Sequence, residues 1–133
     1  MIKAIDVRAE LVGLPALCGR TKDTPDAETR AAFAVLAPFD DGSVFAGTFS
    51  GDTKWERHGK GDELVQILDG AATLTIMTDA GPQVLELRAG MLVVVPQGHW
   101  HRFPAPGPVT VLTATPQPTE HTTADDPRGT GSS

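Results

Sequence analysis

Apolar residues come in short runs along the chain, and several of these runs alternate with polar residues. Alternation over four to eight positions is typical of a half-buried β-strand. It is clear after Gly70, where Leu74 and Ile76 share one face and Thr73 and Thr75 share the other. The pattern predicts eight strands, at residues 2–7, 32–37, 44–49, 64–68, 73–77, 84–87, 91–95 and 109–113.

Turn residues separate the predicted strands. Asp69-Gly70 ends the strand at 64–68 and is a strong signal for a hairpin. Asp23-Thr24-Pro25 predicts one helical turn, with Pro25 as its first residue. No long segment has helical periodicity. Short strands at this spacing predict an all-β protein, an antiparallel sandwich or barrel.

The apolar pattern stops near residue 116. The 133 residues suit one domain, which is large enough to bury a core. From Pro116 onward the sequence is mostly Pro, Thr, Asp, Gly and Ser, a composition that cannot bury much apolar surface. We therefore predict one β domain over residues 1–115 and a disordered tail over residues 116–133.

Charge and composition narrow the classes of partner. A net charge of -6 argues against nucleic acid, because phosphate binding needs clustered Lys and Arg. No apolar run approaches the ~20 residues that span a membrane, and the first ten residues carry charges unlike a signal peptide. A single cysteine, Cys18, cannot form an internal disulfide. These features predict a cytoplasmic protein in a reducing compartment.

Carboxylate and imidazole groups concentrate in two segments. Glu56 and His58 are two residues apart, so they face the same way in a strand, and Glu63 follows a flexible Gly-Lys-Gly segment. His99 and His101 share a face in the second segment. Such a set suits one divalent transition metal, Zn, Mn, Fe or Ni. Solvated surface charges and histidines at a rim are the alternative, and residue types alone do not decide between them.

The spacing of these residues resembles the two-part signature of the cupin superfamily. Four residues separate His58 from Glu63, and six separate Glu63 from Gly70. In the second part, five residues separate Gly90 from Pro96, and the chain continues as Pro-x-Gly, two residues and His101. The resemblance implies a double-stranded β-helix, also called a jelly roll or cupin barrel, as a single antiparallel domain.

The resemblance also implies roles for single residues. His58, Glu63 and His101 match three metal ligands of the family, and Glu56 stands where the first histidine usually lies. Since a glutamate can ligate, the implied site has two histidines and two carboxylates. Ser50 and Ala105 depart from the glycine and asparagine common in the two motifs. Glu56 and His99 are the candidate acid–base residues.

Two functions remain open from the sequence. One is a small metalloenzyme acting on a small polar substrate with a carbonyl, hydroxyl or carboxylate group, as a dioxygenase, isomerase, decarboxylase or lyase. The other is a non-catalytic module that binds a small molecule, with or without metal. Fold alone does not choose between them.

Three further expectations concern the rest of the molecule. The outward face of Leu64, Gln66 and Leu68 is largely apolar and needs a cover, either a second copy in a homodimer or the N-terminal strand. Trp55 and Trp100 are expected to shield a barrel face or a dimer contact rather than stack on a substrate. The remaining histidine, His121, lies in the predicted tail and is expected to be solvated.

Overall fold

The structure, a computed structural model, describes residues 2–129. Two short helices, α1 (Val7–Leu11) and α2 (Asp26–Ala32), accompany the strands. The strands are β1 (Leu17–Arg20), β2 (Phe33–Phe39), β3 (Gly42–Gly51), β4 (Trp55–His58), β5 (Glu63–Asp69), β6 (Ala71–Thr78), β7 (Gly81–Arg88), β8 (Leu92–Val95), β9 (His101–Arg102), β10 (Ala105–Pro116) and β11 (Thr119–Thr122). A 3-10 turn follows at Pro127–Gly129.

The strands form two sheets. One has the order β1-β3-β10-β5-β8, with β2 also paired to β3, and the other has the order β11-β4-β9-β6-β7. Within residues 2–129, β1 runs parallel to β3 and the other pairings are antiparallel. The core is drawn from both sheets: Phe49, Val65, Ile67, Ala72, Leu74, Ile76, Leu87, Val95, Ala105, Val109 and Val111. The predicted all-β jelly-roll fold is confirmed.

Alternation correctly predicted which side chains face the core. On β5, Glu63, Val65 and Ile67 are buried, while the residues between them are half-buried. On β6, Leu74 and Ile76 are buried in the same way. A strand has a period of two residues, so one buried position determines the orientation of the rest.

The hairpin predicted at Asp69-Gly70 is wrong. β5 and β6 belong to different sheets, so the chain passes from one sheet to the other at this turn. Gly70 has a φ of 83°, and a Cβ there would lie 2.3 Å from the Pro108 carbonyl oxygen. The Asp-Gly signal locates a tight turn but does not say which strands pair. The next two strands, β6 and β7, do form a hairpin closed at Thr78 and Gly81.

The N-terminal strand predicted at residues 2–7 is also wrong. Ile2 is fully exposed, and Asp6 caps α1 by accepting a hydrogen bond from the Ala9 amide at 3.1 Å. The edge of β3 that an N-terminal strand would need is already paired with β1 and β2. The predicted helical turn does occur as α2, with Pro25 at the N-cap rather than inside the helix.

The predicted tail is ordered over much of its length. Thr119–Thr122 form β11, which pairs with β4, and Pro127 is buried. The Trp55 indole Nε1 donates a hydrogen bond to the Asp125 carbonyl oxygen at 3.3 Å. The prediction of disorder from residue 116 is therefore wrong here, because backbone pairing and a single buried proline order the segment without an apolar run. Residues 130–133 lie outside the described part of the chain.

The helices of the described chain are short. None of those found over residues 2–129 has the length and apolar character to cross a membrane.

Candidate metal centre

Three buried polar side chains meet between the two sheets. His58 ends β4, Glu63 begins β5 and His101 begins β9, and each is less than a tenth exposed. Glu63 Oε1 lies 3.3 Å from His58 Nε2 and 3.0 Å from His101 Nε2. The structure thus brings together three residues that the sequence placed in two distant segments.

Glu56 borders the same cluster. It lies directly opposite His101 in the pairing of β4 with β9, and its carboxylate is 3.9 Å from His58 Nε2. Glu56, His58 and His101 offer ligand atoms that all lie within 4.8 Å of one another. Glu63 is not part of that three-residue group, but it makes the shorter contacts to both histidines. The two histidines therefore lie next to both carboxylates.

Neighbouring groups orient the ligand atoms. His101 Nδ1 lies 3.1 Å from the His99 carbonyl oxygen and His58 Nδ1 lies 3.1 Å from Thr119 Oγ1, so each ring turns its Nε2 inward. The Thr115 hydroxyl donates to Glu63 Oε2 at 2.6 Å and leaves Oε1 facing the histidines. Such partners commonly set the tautomer and orientation of metal ligands.

Glu63 and His101 stabilise each other's charged forms. Burial alone would raise the pKa of Glu63, but contacts with His101 and His58 outweigh burial and lower this pKa to about 2. Burial alone would lower the pKa of His101, but the Glu63 carboxylate outweighs it and raises this pKa. Glu63 is therefore ionised at neutral pH and supplies an anionic oxygen to the cluster.

The donor set fits a divalent metal. His58 Nε2 is buried and lacks a hydrogen-bond partner among the described residues, although a Glu63 oxygen lies 3.3 Å away. A buried polar atom without a partner is costly. Ligands about 2.1 Å from an ion lie roughly 3.0–3.4 Å apart. The Glu63–histidine distances of 3.0 and 3.3 Å match that spacing.

The other predicted acid–base residue lies outside the cluster. The His99 ring contacts the Gln97 carbonyl oxygen in its own turn, with Nδ1 at 3.3 Å. Only the backbone of His99 reaches the site, through its contact with His101. The structure thus places Glu56, and not the His99 ring, beside the three buried candidate ligands.

The tryptophans pack away from the cluster. Trp55 and Trp100 are each 5% exposed. The guanidinium carbon of Arg57 lies 4.4 Å from the centre of the Trp100 ring, and that of Arg102 lies 5.4 Å from the centre of the Trp55 ring. Neither tryptophan lines the cavity described below. They cover a face of the barrel, as expected.

Two residues near the site were missed because they lie in the predicted tail. Thr119 pairs with His58 across β11 and β4, and His121 pairs with Glu56. His121 is exposed, as predicted for a solvated residue, and its Nε2 lies 3.9 Å from the Glu56 carboxylate. Thr-Glu-His-Thr is polar throughout, so it carries no apolar–polar alternation from which β11 could have been predicted.

A cavity of about 550 Å³ opens beside the cluster. Glu56, Glu63 and His101 form part of its wall. Much of the remaining wall is apolar and includes Phe33, Phe45, Phe49, Val65, Phe103 and Val111. This volume lies within the range typical of sites for small molecules.

Solved structures share this fold at low sequence identity. A protein from Neisseria meningitidis matches with a TM-score of 0.60 and 14% identity, over 90% of this chain and 100% of that one. A cupin-2 domain containing protein from Shewanella frigidimarina matches with a TM-score of 0.54 and 20% identity, over 76% and 96%. A hydroquinone 1,2-dioxygenase, solved in complex with Cd²⁺ and 4-hydroxybenzonitrile, matches with a TM-score of 0.54 and 20% identity. This chain spans 63% of the dioxygenase chain.

The family is established by sequence as well as by fold. No curated protein is significantly similar to the chain in sequence. A family model for the cupin domain matches residues 48–115, which is more than half of the chain. The matched segment carries all four candidate ligands. The chain therefore belongs to the cupin family.

Proposed function

We propose that the protein is a metalloenzyme that binds one divalent transition metal through His58, Glu63 and His101, with Glu56 as a fourth ligand. The buried His58 Nε2 carries this proposal, because it has no hydrogen-bond partner among the described residues and faces an anionic oxygen. Two imidazoles and two carboxylates suit Zn, Mn, Fe or Ni.

The cavity beside the cluster supports a small polar substrate. A bound divalent ion supplies Lewis-acid polarisation of a substrate oxygen, or a centre for dioxygen chemistry. Glu56 is half-buried on the cavity wall, and His121 Nε2 lies 3.9 Å from its carboxylate.

The proposed substrate has a carbonyl, hydroxyl or carboxylate group. Dioxygenase, isomerase, decarboxylase and lyase chemistry all fit a cupin metal centre of this composition. A hydroquinone 1,2-dioxygenase of the same fold was solved with Cd²⁺. That example supports metal-dependent chemistry in this fold without choosing the reaction.

Elemental analysis of protein purified without chelator tests the metal proposal. We expect close to one divalent transition metal per chain, and we expect His101→Ala to lose it. His99→Ala is the matched control, since the His99 ring lies in the same turn but outside the cluster. The proposal fails if wild-type protein carries no such metal and takes none up on reconstitution with Zn, Mn, Fe or Ni.

A binding module without turnover is the second candidate. The His99 ring, which was a candidate acid–base group, lies outside the cluster, and the chain contains no tyrosine to act in its place. Steady-state assays of the metal-loaded protein across keto acids and diols separate the two functions. Saturable binding without turnover would favour the module.

We also propose that the protein forms a homodimer through the outer face of the β5–β8 sheet. Leu64 and Gln66 of β5 lie opposite Val94 and Leu92 of β8. Leu92 and Val94 are 55% and 49% exposed, and β8 is an edge strand. An exposed apolar edge of this kind needs a cover. Helix α1 packs on β2 and β3, and its Arg8 pairs with Asp69 at the end of β5.

A further inference from the structure

A bulge in β1 turns one arginine into the cavity. Leu17 lies opposite Phe49 and Arg20 lies opposite Gly51, so β1 advances three residues while β3 advances two. In a regular strand Leu17 and Arg20 would face opposite sides. The extra residue restores a common side, and Gly19 adopts the required backbone with a φ of 65°. Leu17 packs on the core, and Arg20 lines the cavity.

Arg20 has no counter-ion in the described part of the chain. Arg57 and Arg128 pair with Glu120 and Asp126 at 2.8 and 2.9 Å, whereas the Arg20 guanidinium has neither an ion pair nor a hydrogen bond within residues 2–129. Its nearest organised contact is the Phe49 ring, whose centre lies 5.3 Å from the guanidinium carbon. The cavity therefore holds a half-buried positive charge with open donors.

The electrostatics of Arg20 agree with this description. Burial lowers the pKa of the Arg20 guanidinium, and the charges of Glu56, Asp26 and Asp52, none of which forms an ion pair with it, offset only part of that effect. An arginine nevertheless stays protonated at neutral pH. A desolvated guanidinium gains most from an anion that accepts two parallel hydrogen bonds, as a carboxylate does.

The cavity wall beside Arg20 is aromatic. Phe49 packs edge-on against Phe103 with ring centres 5.8 Å apart. Its ring centre lies 6.3 Å from that of Phe33. These rings suit an apolar or aromatic ligand body. Glu56 and Glu63 also line the cavity and repel additional negative charge. A ligand with one anionic group and an apolar body satisfies both parts of the wall.

We propose that Arg20 is a specificity-determining residue that binds the carboxylate of a small aromatic monocarboxylic acid. The apolar body then lies along Phe33, Phe49 and Phe103, and its far end faces the Glu63–His101 wall. This inference rests on the proposed function only in taking the cavity as the substrate site.

Binding of benzoate and of its neutral isostere benzamide tests the role of Arg20. Calorimetry at pH 7 compares wild type, Arg20→Gln and Arg20→Lys, each both metal-free and zinc-loaded. Arg88→Gln is the matched control, because Arg88 is exposed on β7 away from the cavity. We expect wild type and Arg88→Gln to prefer benzoate by about 10- to 100-fold, and Arg20→Gln to lose that preference. Arg20→Lys should keep part of it, which separates the loss of charge from a loss of fold.

The outcomes distinguish this proposal from the metal centre. A wild type that shows no preference for benzoate, or an Arg20→Gln variant that keeps the preference, overturns the role of Arg20. So does a preference that requires zinc, because the carboxylate would then bind the metal. Tighter binding of phenyl phosphate than of benzoate overturns the assignment to carboxylates. If zinc does not bind at all, the metal proposal fails, while the metal-free comparison still tests Arg20.

Discussion

At the scale of single residues, the orientation of two imidazole rings defines the candidate centre. His58 and His101 each engage a neighbour through Nδ1 and turn Nε2 toward Glu63. Thr115 holds the other oxygen of Glu63. Because the supporting contacts use the far side of each ligand, the near sides converge without competing partners. The geometry of the cluster therefore depends on Thr115, Thr119 and the His99 carbonyl group as well as on the candidate ligands.

Metal binding should weaken as pH falls. A ligating histidine must be neutral, and Glu63 raises the pKa of His101 above its ordinary value in the metal-free protein. Metal uptake at neutral pH should therefore release protons, and metal should be lost between about pH 6 and 4 as protons compete for the rings. Equilibrium dialysis across pH 4–8, with calorimetry in two buffers of different ionisation enthalpy, measures both effects. Metal content that stays constant through that window would contradict ligation by His58 and His101.

The same pair should shape the stability of the metal-free fold. Glu63 has a pKa lowered from 4.5 to about 2, so its contribution is present above about pH 4.5 and is lost as pH falls toward about 2. His101 has a raised pKa, so its contribution is present below about pH 6.5 and is lost as pH rises through the raised value. Metal-free protein should thus be most stable between these limits, as measured by urea unfolding at several pH values. His101→Gln should flatten the alkaline side, and an unchanged alkaline side would contradict the pairing.

Glu56 tests what the departure from the usual cupin motif means. If Glu56 ligates, Glu56→Gln should weaken metal binding by at least about tenfold, and Glu56→His should restore it. Competition with a chelator measures the affinity, and Glu86→Gln on β7 is the control. Full metal retention in both Glu56→Gln and Glu56→Ala would exclude the ligand role. If metal is retained but any turnover falls by roughly 10²–10⁴-fold, Glu56 acts instead as a general base.

At the scale of elements, β11 joins the C-terminal segment to the site. Its pairing with β4 places Thr119 beside His58 and His121 beside Glu56. The residues that follow it cover Trp55, whose indole reaches the Asp125 carbonyl oxygen. This four-residue strand thus contacts the candidate ligand His58 and forms the edge of its sheet.

Truncation measures the contribution of β11. A chain ending at residue 118 should lose about 5 °C or more in thermal midpoint and bind metal more weakly, because it loses a paired strand and the Thr119 contact to His58. A chain ending at residue 129 is the control, since it keeps the strand and the buried Pro127. Trp fluorescence should shift to longer wavelength only in the shorter chain. An unchanged midpoint and unchanged metal affinity would show that β11 contributes little in solution.

At the scale of the whole molecule, the two sheets enclose the core, and the edge strand β8 exposes Leu92 and Val94. Light scattering over a range of concentrations should show a dimer that Val94→Lys dissociates, because a lysine there would be buried against the second copy. Val84→Lys is the matched control, since Val84 is equally exposed but lies in the other sheet. A monomeric wild type, or a dimer that persists in Val94→Lys, would contradict the proposed interface.

Local pattern was enough to predict the inward face of β5 and the family of the chain. Alternation put Glu63, Val65 and Ile67 on one side because a strand repeats every two residues, whatever it pairs with. The spacing of His58, Glu63 and His101 led to the cupin resemblance, which the family match confirms. Both features depend on the spacing of residues along the chain, so they could be predicted without knowing how the chain folds.

Features that depend on distant partners were decided only by the tertiary structure. Gly70 joins two sheets rather than two paired strands, and β11 orders a polar segment by pairing with β4. Arg20 faces the cavity because of a bulge in β1, and that bulge is defined by the pairing of β1 with β3. In each case the deciding free energy comes from backbone pairing or burial against residues far away in sequence, and no local pattern of apolar and polar residues encodes which partner the chain will meet.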